Sequence, residues 1–190
     1  MQKVILEITM SLDGFIAGED VSKKNPIGKD GIILHDWIFK KKTDVDDSLL
    51  RELIENCGAV IVGSRTYETA IDVAWGGSSP FSVPVFVICH SIPNAKIDGF
   101  SFITEGIETA LTKAKAIAGD KNIWVMGGAN VIQQYLNSNL CDELNIHVAP
   151  VLLFKGTRLF DLTGSGKIQL RKKRVLDTPG ATHLYYEVVK

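Results

Sequence analysis

Three short stretches of this chain contain only apolar residues: Ala59-Val60-Ile61-Val62, Val85-Phe86-Val87-Ile88-Cys89 and Ile123-Trp124-Val125-Met126. None alternates with polar residues as a half-exposed strand does. A strand that is apolar on both sides needs cover on both faces, as in a parallel sheet between layers of helices. Residues 107–118 and 129–136 have the helical pattern that such cover requires. Residues 4–10 alternate and form a first strand, and residues 46–56 read as an amphipathic helix ended by Cys57-Gly58, with acidic residues in its first turn. Residues 19–42 are polar and Gly-rich, the composition of a long functional loop. Further on, residues 143–151, 167–176 and 183–189 are strand after strand, implying antiparallel additions at one edge. The expectation is one α/β domain over residues 1–190, with a mixed, mainly parallel central sheet, flanking helices and C-terminal antiparallel strands.

The charge balance removes several function classes. Twenty-one Lys and Arg against 22 Asp and Glu leave a formal charge of −1, so no global field recruits nucleic acid or an acidic membrane. The basic run Arg171-Lys172-Lys173-Arg174 lies in an expected strand, where it reads as a solvated edge guard. Lys40-Lys41-Lys42 reads as a solvated loop. Cys57, Cys89 and Cys141 are an odd, widely spaced set, which fits neither a disulfide framework nor a zinc site, so no metal is expected. No apolar run approaches the roughly 20 residues that span a bilayer. With no signal peptide before the first strand, the cytoplasm is the expected location.

In the stretch Val125-Met126-Gly127-Gly128-Ala129-Asn130-Val131, a strand breaks at two glycines and enters a helix. Such a turn aims backbone N–H groups and a helix N-terminus at one point, where an anion such as a cofactor phosphate is stabilised. A tight strand-to-helix turn without a ligand has the same sequence signature.

Four pieces then occur in one order: Met10-Ser11-Leu12-Asp13-Gly14-Phe15-Ile16-Ala17, Val62-Gly63-Ser64-Arg65-Thr66-Tyr67-Glu68, Val125-Met126-Gly127-Gly128-Ala129 and His147-Val148-Ala149-Pro150-Val151. The set resembles the dihydrofolate reductase-like superfamily over nearly the whole chain. It is most similar to stand-alone relatives of the reductase domain of the bifunctional riboflavin-biosynthesis deaminase/reductase. The resemblance implies a three-layer fold with a C-terminal antiparallel hairpin, NADPH as cofactor, a small-molecule substrate and a homodimer. An apolar alternation at Leu184, Tyr186 and Val188 suggests the edge strand through which two copies would pair.

Carried onto this sequence, the resemblance places the pyrophosphate over Gly127, Gly128, Ala129, Asn130 and Val131 and the turn at Thr66. Gly63 allows backbone approach, and Ser64 and Arg65 lie by the adenosine ribose. Arg65 is the candidate cation for a 2′-phosphate. Dihydrofolate reductases usually place an arginine directly after that glycine, where this chain has Ser64. His90 and Ser91 fall at the adenosine end, and Thr9, Ile16 and Ala17 near the nicotinamide, with residues 18–37 as a lid. For the proton that reduction of a C=N bond requires, counting back from Gly63 lands on Asp47, with Asp46 and Asp44 one helical turn or less away. N-terminal capping explains all three equally well. Asp13 is a second candidate, although a turn-forming Asp-Gly accounts for it. Trp37, Trp75 and Tyr67 are candidates to line the substrate mouth, or else core. Lys155, Arg158 and Arg51 are candidate partners for a substrate phosphate. The activity implied is NADPH-dependent reduction of a small heterocycle, of the 5-amino-6-(5-phosphoribosylamino)uracil reductase type. A dihydrofolate reductase and a non-catalytic nucleotide-binding protein are the alternatives.

Overall fold

A computed structural model describes residues 2–94, 97–161 and 166–190. The elements run β1 (Val4–Ser11), β2 (Phe15–Ala17), a 3-10 turn (Gly31–His35), α1 (Asp36–Phe39), α2 (Asp44–Asn56), β3 (Cys57–Gly63), α3 (Ser64–Ala70), β4 (Val85–Ile88), β5 (Phe100–Ile103), α4 (Ile107–Ala118), β6 (Asn122–Gly127), α5 (Ala129–Asn137), β7 (Glu143–Ala149), β8 (Thr157–Arg158), β9 (Leu170–Asp177) and β10 (Thr182–Val188). Eight strands form one sheet in the order β5-β4-β3-β6-β1-β7-β10-β9. The first six in that order pair in parallel, and the last two join antiparallel. This is the mixed, mostly parallel α/β sheet expected from the three apolar runs. No helix among the described residues is long and apolar enough to cross a membrane.

The sheet separates two interiors. One face packs Leu6, Ile61, Val125, Leu144 and Ile146 against Ala110 and Leu111 of α4 and Ile132 and Tyr135 of α5. The opposite face carries Val60, Val62, Val85 and Val87 beneath Tyr67 of α3, and Glu7, Thr9, Asn145 and His147, all buried. Helix α2 covers that side with a stripe at Asp46, Leu49, Leu50 and Leu53, the i, i+3, i+4, i+7 spacing of one helical face.

Three expectations change. Cys57 and Gly58 do not simply end α2, because they already belong to β3, where Cys57 pairs with Asn122 of β6. The long polar loop contains the 3-10 turn and α1, which bury Leu34 and Trp37. The C-terminal strand is not an edge: β10 lies between β7 and β9, and the basic β9 is the edge. Arg171 and Arg174 there reach Glu187 and Glu52.

Candidate functional site

A cavity of about 820 Å³ crosses the C-terminal ends of the parallel strands from β4 to β7. Strand ends are where an α/β sheet leaves a crevice, because the chain must turn away into helices on opposite faces. Toward β3 and β6, the walls are Gly63, Ser64, Arg65, Thr66, Gly128 and the first turn of α5. Toward β1 and β7, they are Glu7, Thr9, His35, Trp37 and His147, with Ile38, Leu50 and Leu53 beside them.

The first of these regions has the shape of an anion cradle. Helix α5 has no side-chain cap, so the amides of its first turn lack intrahelical acceptors and point out of the helix. A Cβ added at Gly128 would stand 3.3 Å from Thr66 Oγ1, and one at Gly63 would stand 3.0 Å from Val131 Cγ2. Side chains at these positions would therefore fill the cradle. The Gly127–Gly128 peptide bond is cis. Arg65 is exposed on the same wall, and no acidic partner lies within salt-bridge distance among the described residues.

The second region is built by strand register. Glu7 on β1 sits opposite Asn145 on β7, and Thr9 opposite His147. His147 is in turn opposite His183 on β10. Because all of these side chains point to one face, they meet in a buried chain. Glu7 Oε1 is 3.0 Å from His147 Nε2, His147 Nδ1 is 2.8 Å from His183 Nδ1, and His183 Nε2 is 3.0 Å from Asp46 Oδ1. Asn145 Nδ2 donates to Glu7 Oε2 at 3.1 Å. Trp37 roofs the pair of imidazoles, with ring centres 4.6 Å from His147 and 5.1 Å from His183, and its Nε1–H donates to Thr9 Oγ1.

The ionisation states follow from these contacts. Burial pushes the Asp46 carboxyl up. The Thr43 hydroxyl and amide, the Thr178 hydroxyl and His183 outweigh it and hold Asp46 below its ordinary range. Burial lowers the pKa of His183, and His147 lowers it further, against the pull of Asp46 and Glu7. Burial, then the charge of His147, lowers His35 as well. His35 lines the cavity, and its Nδ1 is buried without a hydrogen-bond partner.

Of the expected cofactor residues, Thr9, Ile16, Ala17, Gly63, Ser64, Arg65, Thr66, His90, Gly128, Ala129, Asn130 and Val131 all line this cavity. Gly127 is buried behind its wall, and Ser91 is exposed beyond it. Trp37 and Trp75 line it too. Tyr67 does not: its ring is buried edge-on against Phe100 and Phe102, about 5 Å from each. Asp47 lies off the cavity, paired with Lys42 at 2.8 Å on the outer side of α2. Its neighbour Asp46 is on the buried face, since consecutive helical residues point about 100° apart. Asp13 staples a turn by accepting from Ser11 Oγ and the amides of Leu153 and Phe154. Lys155, Arg158 and Arg51 are also off the cavity, with Arg158 stacked on Phe15. Glu7, His183 and His35 were not singled out from the sequence. For Glu7 and His183 the signal is a polar residue at every second position of a strand whose other positions are apolar; His35, on the 3-10 turn, has no such signal.

The model of the RibD C-terminal domain matches residues 2–184. The uncharacterized protein YwjB of Bacillus subtilis (strain 168) is 29% identical over 171 residues, covering 90% of each chain. A protein from Shewanella sp. PV-4 assigned provisionally to riboflavin biosynthesis has a structure that superposes with a TM-score of 0.77 at 22% identity, over 100% of both chains. Dihydrofolate reductase from Enterococcus faecalis, complexed with NADP(H), superposes with a TM-score of 0.62 at 15% identity over 99% of this chain and 97% of that one. At these identities the two structures show the fold, a dihydrofolate reductase-like one.

Proposed function

This chain belongs to the RibD C-terminal domain family, and we propose that it acts as one domain, as an NADPH-dependent reductase of a small heterocyclic substrate. The observation that carries this reading is one continuous cavity with two chemically different regions. One region has unfilled amides, two glycines that leave room, and an unpaired arginine; the other has aromatic walls with a buried carboxyl and imidazoles. The residues present fit a dinucleotide: the α5 amides and Thr66 would hold its pyrophosphate, and Arg65 and His90 its adenosine end. When bound, such a cofactor supplies a hydride. The remaining work falls to the chain. Thr9, Ile16 and Ala17 would orient the reactive ring, Trp37 and Ile38 exclude water, and Glu7, His35 and His147 offer polar contacts to a heterocycle.

The charge of the walls sharpens the substrate class. Among the described residues, Arg65 is the single lysine or arginine that lines the cavity. If Arg65 serves the cofactor, no fixed cation remains for a substrate phosphate. A heterocycle lacking phosphate therefore suits the cavity better than a phosphoribosylaminouracil, within the same class of reduction. We also propose a homodimer, with the partly buried Leu184 and Tyr186 and the exposed Val175 as apolar surface for the second copy. Its buried free cysteines fit a reducing cytoplasm.

Calorimetric titration tests the cofactor. NADPH should bind more tightly than NADH, and Arg65→Ala should weaken NADPH roughly tenfold while leaving NADH nearly unchanged. Failure of both nucleotides to bind would overturn the reading. Oxidation of bound NADPH by pyrimidine ribosylamines, with and without a phosphate, and by dihydrofolate then separates the substrate classes.

A further inference from the structure

We propose that Glu7 is the catalytic acid of this cavity, and that His147, His183 and Asp46 are positioning residues forming a relay that holds one shared proton at the His147–Glu7 link. The catalytic half rests on the reductase reading; the relay is a property of the protein alone.

Counting hydrogens leads there. The chain from Glu7 to Asp46 has three links of 3.0, 2.8 and 3.0 Å, and each needs one hydrogen. Two neutral imidazoles supply two N–H groups, and two carboxylates supply none. Without a third proton, some link would set two lone pairs against each other between buried side chains, which is costly. Both Asp46 oxygens are engaged, by Thr43 on one side and Thr178 and His183 on the other, so its charge is well held. His183 then gives Nε2–H to Asp46 and accepts His147 Nδ1–H at its own Nδ1. The third proton is left between His147 Nε2 and Glu7 Oε1. That is the one link of the chain whose two residues both line the cavity.

Reduction of a C=N bond adds a hydride at carbon and a proton at nitrogen. The Glu7 O–H bond breaks, its electron pair stays on the carboxylate, and an N–H bond forms on the product. The proton given up is the single third proton of the chain, so Glu7 is reloaded from solvent and not from His147, whose remaining N–H is the one held by His183. Glu7 also lines a second, polar cleft of about 460 Å³ with Lys3, Glu143, Lys173 and Arg174, through which the chain can reload. The titratable groups facing this system are Lys3 ahead of β1, His35 from the 3-10 turn, Cys57 from β3, Glu143 from β7, Tyr185 from β10, Glu52 from α2, and Lys173 and Arg174 from β9. Any pH profile is read against them.

The test has two arms on the full-length protein. In the first, ring ¹⁵N shifts of His147 and His183 are followed against pH without cofactor, in wild type and in Glu7→Gln. Coupled sites titrate in macroscopic steps that belong to the set and not to either ring. Both rings should therefore report the same macroscopic steps, and Glu7→Gln should displace those steps for both by about one pH unit or more. Independent titration, or indifference of both rings to Glu7→Gln, overturns the relay. Asp46→Asn, remote from the cavity, gives the same readout should Glu7→Gln not fold. In the second arm, Glu7→Gln should lower kcat by about 10²-fold or more with KM and NADPH affinity little changed. A variant keeping more than about a tenth of kcat overturns the catalytic role. Asp46→Asn should displace the pH profile of kcat, which a merely structural role would not do. If wild type turns over no substrate, the reductase reading and the catalytic role fail together, and the ¹⁵N arm still decides the relay.

Discussion

Strand β1 presents two interiors from one run of residues. Val4 and Leu6 face α4 and α5 in a wholly apolar core, while Glu7 and Thr9 face α2 and Trp37 in a buried polar one. The apolar side is held by dispersion and by exclusion of water, contributions that are non-directional and tolerate small changes. On the polar side, the linked carboxyls and imidazoles are buried with neighbours that satisfy them, while Asn145 Oδ1 and His35 Nδ1 are buried without one. One such core yields stability, while the other yields a site, at the risk that losing one member strands the rest.

The largest contrast is expected from a matched pair of truncations. His183→Leu should cost about 3–5 kcal/mol, because Asp46 keeps its charge without its ring partner and His147 loses its acceptor. Ile61→Val on the other face should cost about 0.5–1.5 kcal/mol, as a methyl-sized loss in an apolar core. Urea unfolding of both variants measures the difference, and equal costs would mean that the two cores do not differ in kind.

The next contrast is in pH. His35 and His183 have folded pKa values below the ordinary 6.5, so the unfolded chain binds more protons as pH falls. Their contribution is complete above about 6.5 and is lost as pH drops through the lowered folded values. Asp46, held below 3.8, adds a second loss at still lower pH. Urea midpoints should thus be flat above about pH 7 and decline below 6.5. Ile61→Val should keep that slope, and His183→Leu should flatten it.

The smallest effect should come from Asp47→Asn. A half-exposed pair with Lys42 is worth about 0–1 kcal/mol, and activity should stay near wild type. A large loss of kcat would restore the residue that the linear count selected.

Asp46 and Asp47 show where reading the sequence succeeds and where it stops. The helix and its acidic first turn are legible, as are the sheet class, the glycine turn and most of the cavity wall. A gapless count along the chain is nevertheless blind to helical phase. The spacing of residue 46 to Leu49, Leu50 and Leu53 was the available signal. Glu7, Asn145 and His147 alternate with apolar residues, and alternation alone reads equally as a solvated face. Only the packing of α2 and Trp37 across that face turns the stripe inward. Tyr67 presents the same ambiguity for an aromatic, which fills a core as readily as it lines a mouth. The C-terminal strand was misplaced as an edge because strand order is decided by register rather than by position in the chain.

The indole of Trp37 stands against both imidazoles, with its own N–H tied to Thr9. An excited indole gives up an electron more readily to an imidazolium than to a neutral imidazole. The protein therefore carries its own optical gauge: the brightness of one buried ring follows where the protons beneath it reside, with no label attached.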